Sequence, residues 1–186
     1  MEIVKDALEL KSSILSDLNL EPFSYILLTI HRAENTDSPA VLKSIVDALR
    51  TVDDMTIVFP IHPRTRKILQ DMGLYLSLEE SKHIRLISPA GYVDFINLMK
   101  SAHKVVTDSG GVQKEAYLLG AACITIRENT EWVETVDENK NILVGTETQA
   151  IVRAIREWQP SANETNPIFG QGRTSDEISN IVIIAI

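Results

Sequence analysis

The chain has 186 residues, of which 44% are hydrophobic and 24% are charged, and its formal net charge is −8. This length suits one domain with a substantial core, and the composition is that of a globular protein, which excludes wholesale disorder. The acidic balance argues against a nucleic-acid-binding protein, which needs a basic face, but it allows a small anionic ligand held by local positive groups.

Cellular location is constrained by three features of the sequence. It contains no apolar run of about 18 residues, so we expect no membrane partner. Its first residues, MEIVKD, are charged and lack the apolar core of a secretion signal. The single cysteine, Cys123, lies in an apolar run and predicts a buried thiol without internal disulfides. Together these features predict a cytoplasmic protein.

Short apolar runs alternate with amphipathic patterns along the chain, beginning with an amphipathic helix predicted over Ile3–Leu18. Six strands follow, predicted at Tyr25–Ile30, Thr56–Pro60, Ile84–Ile87, Lys104–Thr107, Ala122–Ile126 and Asn141–Val144. Helices are predicted between and after them: one behind an N-cap at Ser38, then near Thr65–Met72, Tyr92–Ala102, Val112–Leu119, Thr148–Trp158 and from Ser175 onward. Gly120 is well placed to end the fourth of these helices.

This alternation predicts an α/β fold. Strands separated by single helices join through right-handed crossovers into a Rossmann-like parallel sheet with helices on both faces. In such sheets ligands bind beyond the carboxyl ends of the strands. The residues that follow each strand are therefore the candidates for function.

Two strand ends carry a histidine close to an arginine. The first strand is followed by His31 and Arg32, and the second by His62 and Arg64 around Pro63. A titratable ring and a fixed cation at the ligand edge favour an anionic substrate. For His31 and Arg32 the alternative, a loop cap beside a solvated charge, stands equally well on the sequence alone.

The fourth strand ends in the most informative stretch, DSGGVQKEA at 108–116. Gly110 and Gly111 let the backbone approach a ligand closely at the start of a helix, whose first N–H groups bind anions. Ser109 adds a hydroxyl, and Glu115, one turn along, is placed to accept hydrogen bonds from ribose. The alternative is a tight loop in which Asp108 or Ser109 only caps the helix.

Several other kinds of site lack support in the sequence. Four scattered histidines and one cysteine offer no zinc spacing, so no metal is expected. The nucleotide motifs GxGxxG and GxxxxGK[ST] and the GxSxG motif do not occur. We therefore expect no cofactor.

Taken in order, these residues resemble the non-hydrolysing UDP-N-acetylglucosamine 2-epimerases, from about Tyr25 to the C-terminus. The matching elements are His31-Arg-x-Glu-Asn35, Pro60-x-His62, Tyr92-x-x-Phe95, the run Asp108–Ala116, Arg127 with Thr130-Glu131, and Phe169-Gly-x-Gly172.

The resemblance implies one half of a two-domain fold like that of the B-type glycosyltransferases, namely the C-terminal, UDP-binding half. Residues 1–20 would be a helix connecting to an absent first domain, and residues 21–160 the Rossmann-like UDP-binding domain. Residues 161–186 would form a segment and helix that pack toward the absent domain.

The resemblance also implies roles for individual residues. His31 would be catalytic and lie near the sugar or diphosphate. Substrate binding would involve Arg32, Phe95 beside uracil, Ser109, Gly110 and Gly111 at the pyrophosphate, Glu115 at the ribose, Arg127 and Glu131. His62 matches a histidine that helps some bacterial members bind a second, activating UDP-sugar.

The implied reaction is epimerisation at C2 of UDP-N-acetylglucosamine, through elimination of UDP and its re-addition. The family's acid–base carboxylates belong to the first domain, so we expect this chain alone to be inactive. The implied partners are UDP or a UDP-N-acetyl amino sugar, a separate chain supplying the first domain, and further copies in a homo-oligomer.

One departure from the family leaves the sugar open. Many members have arginine and proline after Thr-Glu, whereas this chain has Trp132-Val133-Glu134, a form similar to relatives acting on diacetamido-uronic acid nucleotides. An epimerase of such a sugar is therefore one alternative. A glycosyltransferase C-terminal domain and a non-catalytic UDP-sugar-binding module are two others.

Overall fold

The computed structural model describes residues 2–162 and 168–169 of the chain. Its six strands form one sheet in the order β3-β2-β1-β4-β5-β6, and all neighbouring strands are parallel. The strands are β1 (Tyr25–Thr29), β2 (Thr56–Pro60), β3 (Ile84–Ile87), β4 (Lys104–Thr107), β5 (Cys123–Thr125) and β6 (Asn141–Leu143). The predicted Rossmann-like parallel sheet is confirmed.

Ten helices occur in the described part of the chain. They are α1 (Glu2–Glu9), α2 (Ile14–Asp17), α3 (Ala33–Thr36), α4 (Pro39–Thr51), α5 (Pro63–Asp71), α6 (Tyr75–Glu79), α7 (Tyr92–Lys100), α8 (Gly110–Leu119), α9 (Val133–Asp137) and α10 (Thr148–Glu157). None of the helices in 2–162 has both the length and the apolar character needed to cross a membrane.

Apolar clusters cover both faces of the sheet, and every residue of β1 is buried. On one face Ile26 shares a cluster with Leu42 of α4 and Ile151 of α10. On the other face Leu27 shares a cluster with Leu98 of α7 and residues of α8. Burial of such side chains stabilises the fold by about 1.5–3 kcal/mol each, which explains why the central strand β1 is mostly apolar.

A buried lysine on β4 forms hydrogen bonds to the C-terminal end of α10. The ammonium of Lys104, whose side chain is 1% exposed, donates to the carbonyls of Ala154, Ile155 and Trp158 at 3.2, 2.7 and 2.5 Å. Burial lowers the pKa of Lys104. The three bonds match the three donors of an ammonium group and satisfy carbonyls that end α10.

The N-terminal prediction of a single helix over Ile3–Leu18 is wrong, because α1 and α2 are separate. Between them the Ser12 hydroxyl accepts the N–H of Ile14 at 3.2 Å and donates to Asp94 of α7 at 2.7 Å. A serine side chain that bonds the nearby backbone competes with the helical pattern and ends it.

Helix α1 packs on this domain, with Val4 and Ala7 against Ile96. Its proposed role as a connection to a first domain stays a prediction.

The other boundaries agree with prediction to within two residues or differ for local reasons. Gly120 ends α8 in the left-handed conformation, with φ of 71°, as predicted. Ser38 precedes α4, but its side chain makes no capping bond. The short helices α3, α6 and α9 were not predicted. The helix predicted from Ser175 onward, and its packing beyond this domain, lie outside the described residues.

Candidate functional site

The three candidate segments gather at one edge of the sheet. The sheet winds outward from β1 and β4 in opposite directions, so the crevice at their carboxyl ends is the position where ligands bind in such folds. His31 follows β1 and Ser109 follows β4. His31 also lines a cavity of about 230 Å³ together with His62 and Phe95. The predicted grouping of His31, His62 and Ser109 is therefore confirmed.

A buried carboxylate organises this crevice. Asp108 has no exposed surface, and its oxygens accept the backbone N–H of His31 at 3.1 and 3.2 Å and that of Arg32 at 3.0 Å. The Asn35 side-chain amide donates to it at 3.1 Å, and Nδ1 of His31 lies 3.7 Å away. Asp108 was predicted only as a loop or capping residue. Its partners instead hold the turn after β1 against the end of β4.

Two arginines converge on one glutamate beside this turn. Arg127 donates to both carboxylate oxygens of Glu131, at 2.9 and 3.0 Å, and Nη2 of Arg32 lies 3.4 Å from the same group. The hydrogen bonds from Arg127 lower the pKa of Glu131 to about 2. Arg127 itself is 7% exposed, so in this conformation it positions Glu131 more directly than it could contact a ligand.

The glycine turn lies against this ionic cluster. A Cβ atom at Gly110 would lie 3.1 Å from Oε2 of Glu131 and 3.7 Å from Nη2 of Arg32, so there is little room for a side chain. The Ser109 hydroxyl accepts the N–H of Val112 at 3.4 Å. Ser109 thus caps α8, which was the alternative to a direct ligand contact, although one hydroxyl can do both.

Glu115 lies one turn into α8 and has a partner that the sequence did not reveal. The Tyr92 hydroxyl, at the start of α7, donates to Oε1 of Glu115 at 3.1 Å. Burial raises the pKa of the Glu115 carboxyl, and the bond from Tyr92 opposes that effect. The carboxylate is partly exposed and keeps a second oxygen for a ligand hydroxyl.

His62 takes a structural role here, since its Nδ1 accepts the N–H of Arg64 and so caps α5. Its predicted part in an activating second site stays a prediction. Across residues 2–162 and 168–169, no group of three or more histidine, cysteine or carboxylate side chains is placed to hold a metal ion.

The predicted site residues thus fall into three connected groups at one edge. They are His31, His62 and Phe95 around the cavity; Arg32, Ser109, Gly110, Arg127 and Glu131 around the glycine turn; and Gly111 and Glu115 along the first turns of α8. The sequence did not predict the contacts of Asp108 and Tyr92 or the bond from Trp132 to Gly110. Asp108 carried a usable signal, because it directly follows a strand, but its partners depend on the pairing of β1 with β4.

These features define an α/β protein in which a glycine turn opens a helix, with a neighbouring carboxylate, at the carboxyl edge of a parallel sheet. The chain matches the sequence profile of the family described as UDP-N-acetylglucosamine 2-epimerase over residues 1–183. It belongs to the UDP-N-acetylglucosamine 2-epimerase family.

Individual relatives agree with this assignment. A UDP-N-acetylglucosamine 2-epimerase homolog of Methanococcus maripaludis is 45% identical over 169 residues, which are 91% of this chain and 47% of that protein. The UDP-2,3-diacetamido-2,3-dideoxy-D-glucuronate 2-epimerase of Pseudomonas aeruginosa is 41% identical and covers 83% of this chain and 43% of its own length.

A solved structure shares the fold. The UDP-GlcNAc 2-epimerase of Methanocaldococcus jannaschii, in complex with UDP-GlcNAc and UDP, superposes with a TM-score of 0.84 at 38% identity. The match covers 97% of this chain and 51% of that one. The chain spans about half the length of the relatives that it matches, and its fold corresponds to one half of their B-type glycosyltransferase-like architecture.

The Asp108 hydrogen bonds can be tested by a near-isosteric change. Asp108→Asn replaces one acceptor oxygen with a donor that faces other donors, so the free energy of unfolding should fall by about 1.5–3 kcal/mol. Urea unfolding measures this loss, and the amide signals of His31 and Arg32 should shift in the ¹H–¹⁵N spectrum.

Asp37→Asn is the matched control. The Asp37 carboxylate is exposed and pairs with Arg64 at 2.7 Å, so its loss should cost no more than about 1 kcal/mol. Equal losses in the two variants would contradict the organising role of Asp108.

Proposed function

We propose that this chain binds the UDP part of UDP-N-acetylglucosamine, or of a closely related UDP-amino sugar, as the nucleotide-binding half of a 2-epimerase. Support comes from the family membership and from the M. jannaschii relative, which was solved in complex with UDP-GlcNAc and UDP. The nucleotide occupies the crevice between the ends of β1 and β4.

The observation that carries the proposal is the start of α8. Gly110 and Gly111 open a ten-residue helix at the carboxyl edge of the sheet, and Glu115 follows one turn later. The first N–H groups of a helix attract phosphate, because they lack partners within the helix and lie at the positive end of its dipole. A diphosphate over the two glycines brings the ribose hydroxyls toward the carboxylate of Glu115.

Uracil then lies toward α7, beside the backbone near Phe95. Phe95 lines the same cavity as His31, and Tyr92 of the same helix bonds Glu115. The base and the ribose thus contact neighbouring turns of α7 and α8. His31 and Arg32 lie on the opposite side of the crevice, within reach of the diphosphate or the sugar.

This chain supplies part of the chemistry of epimerisation. Elimination of UDP builds negative charge on the departing diphosphate, which Arg32 and the start of α8 stabilise. The ring of His31, anchored beside Asp108 and about half exposed, can hold or move a proton at the sugar or the leaving group.

The C2 proton is removed and returned by groups outside this chain. That proton is not activated, so both faces of the sugar need a positioned acid or base. Glu115 is assigned to the ribose, and the oxygens of Asp108 are occupied by donors. We assign the acid–base carboxylates to the first half of the family fold, which also closes over the glycal intermediate and excludes water.

A diacetamido sugar nucleotide is the second candidate substrate. The P. aeruginosa relative, named for such a sugar, is 41% identical to this chain. The UDP-binding features described above serve either sugar equally. Discrimination between the two falls to the residues that contact the sugar.

We expect the isolated chain to bind UDP, with the binding detected by titration calorimetry. Glu115→Ala should weaken UDP binding by about 1.5–3 kcal/mol, because a hydrogen bond to a charged group is lost. Glu80→Ala, an exposed glutamate beyond α6, serves as the control and should bind UDP as the unmodified chain does. Identical affinities in all three proteins, with the fold intact, would refute the role of Glu115.

Catalytic dependence on the first half is the second expectation. The isolated chain, incubated with UDP-N-acetylglucosamine in deuterated water, should form no C2 epimer and incorporate no deuterium at C2 by NMR. Activity should arise only when a first domain of the family is supplied. Turnover by the chain alone, abolished by His31→Ala, would show that the chain holds a complete acid–base site.

A further inference from the structure

An indole N–H bonds directly to the glycine turn. Nε1 of Trp132 donates to the carbonyl oxygen of Gly110 at 2.7 Å, and Gly110 is the first residue of α8. The same ring nitrogen lies 3.5 Å from the point where a Cβ atom of Gly110 would be. Trp132 therefore packs on the glycine turn, not merely against the sheet.

The indole belongs to a cluster of rings around a cation. Nζ of Lys114 lies 4.9 Å from the centroid of Trp132 and 4.9 Å from that of Phe169. The two rings meet edge to face, with centroids 5.3 Å apart. A cation held over ring faces at this distance is a stabilising arrangement, and it fixes the indole on the first turns of α8.

The loop that carries Trp132 is anchored by a buried polar network. The backbone N–H of Trp132 donates to the Thr130 hydroxyl at 3.0 Å, and that hydroxyl donates to Oε1 of Gln113 at 2.5 Å. The same oxygen accepts the side-chain amide of Asn141 at 3.2 Å. Gln113 is fully buried and Asn141 is 2% exposed. The indole position is thus determined by the fold.

Fixing the Gly110 carbonyl also fixes the next N–H group. The C=O of Gly110 and the N–H of Gly111 belong to one planar trans peptide and point in opposite directions. A hydrogen bond to the carbonyl polarises the peptide and strengthens that N–H as a donor. In the first turn of a helix the N–H points beyond the helix start, toward a bound anion.

We propose that Trp132 is a positioning residue for the diphosphate, acting through the Gly110–Gly111 peptide; the inference rests on the proposed UDP site. The Glu131 carboxylate lies next to the turn but does not repel the diphosphate strongly, because Arg127 and Arg32 both pair with it. Trp132 thereby favours ligands with a diphosphate over the bare nucleoside.

The test compares UDP with uridine, which lacks the phosphates. Trp132→Phe keeps a ring for Lys114 but removes the N–H donor. The dissociation constant for UDP should rise about tenfold, and that for uridine should change less than about twofold. Calorimetry measures the dissociation constant of UDP, and NMR titration measures that of uridine, which binds more weakly.

Trp158→Phe is the matched control. It also removes an indole N–H hydrogen bond, from Nε1 of Trp158 to Asn139 at 3.1 Å, but at the end of α10 and not at the glycine turn. The affinities of Trp158→Phe for UDP and for uridine should match those of the unmodified chain. The Trp158→Phe protein also leaves Trp132 as the sole tryptophan, so its single indole N–H signal should shift on addition of UDP and not of uridine.

The outcomes separate the two claims. Suppose that the unmodified chain binds UDP and that Trp132→Phe leaves the ratio of the dissociation constants for UDP and uridine unchanged. The positioning role is then overturned, and the UDP site stands. If the indole N–H signal of Trp132 does not shift when UDP is added, the positioning role is overturned as well. This result does not depend on whether Trp132→Phe folds. If the unmodified chain binds neither ligand, the proposed function falls, and this inference falls with it.

Discussion

The Asp108 carboxylate, which has no exposed surface, accepts hydrogen bonds from the backbone N–H groups of His31 and Arg32 and from the side chain of Asn35. A buried charge costs several kcal/mol unless donors surround it. The turn after β1 must therefore present those donors at the end of β4. This requirement determines which side chains face the crevice.

Both sides of the crevice depend on a balance of charge. A chain with a net charge of −8 must collect positive groups locally to bind a nucleotide diphosphate. In the proposed site, Arg32 and the start of α8 would supply them, and Glu131 pairs with both Arg32 and Arg127. The low pKa of Glu131, about 2, means that this cluster stays ionised in neutral and mildly acidic solution.

Much of the fold could be predicted from the sequence, because strands covered on both faces are rich in apolar residues. The strands β2, β3 and β4 have the predicted boundaries. The short helices α3, α6 and α9 have too few residues to show a helical period. Candidate residues such as His31 and Ser109 could be read from strand ends. The contacts of Asp108 and Trp132 could not, since they join segments that are adjacent only in the folded sheet.

We propose that UDP binds in the crevice between β1 and β4. A crystal structure of this chain with UDP tests it most directly. The diphosphate should lie within about 3 Å of the backbone nitrogen of Gly111, and a ribose hydroxyl should lie at the same distance from the Glu115 carboxylate. UDP bound instead in the groove of about 510 Å³ between β6 and α10, with the glycine turn empty, would contradict it.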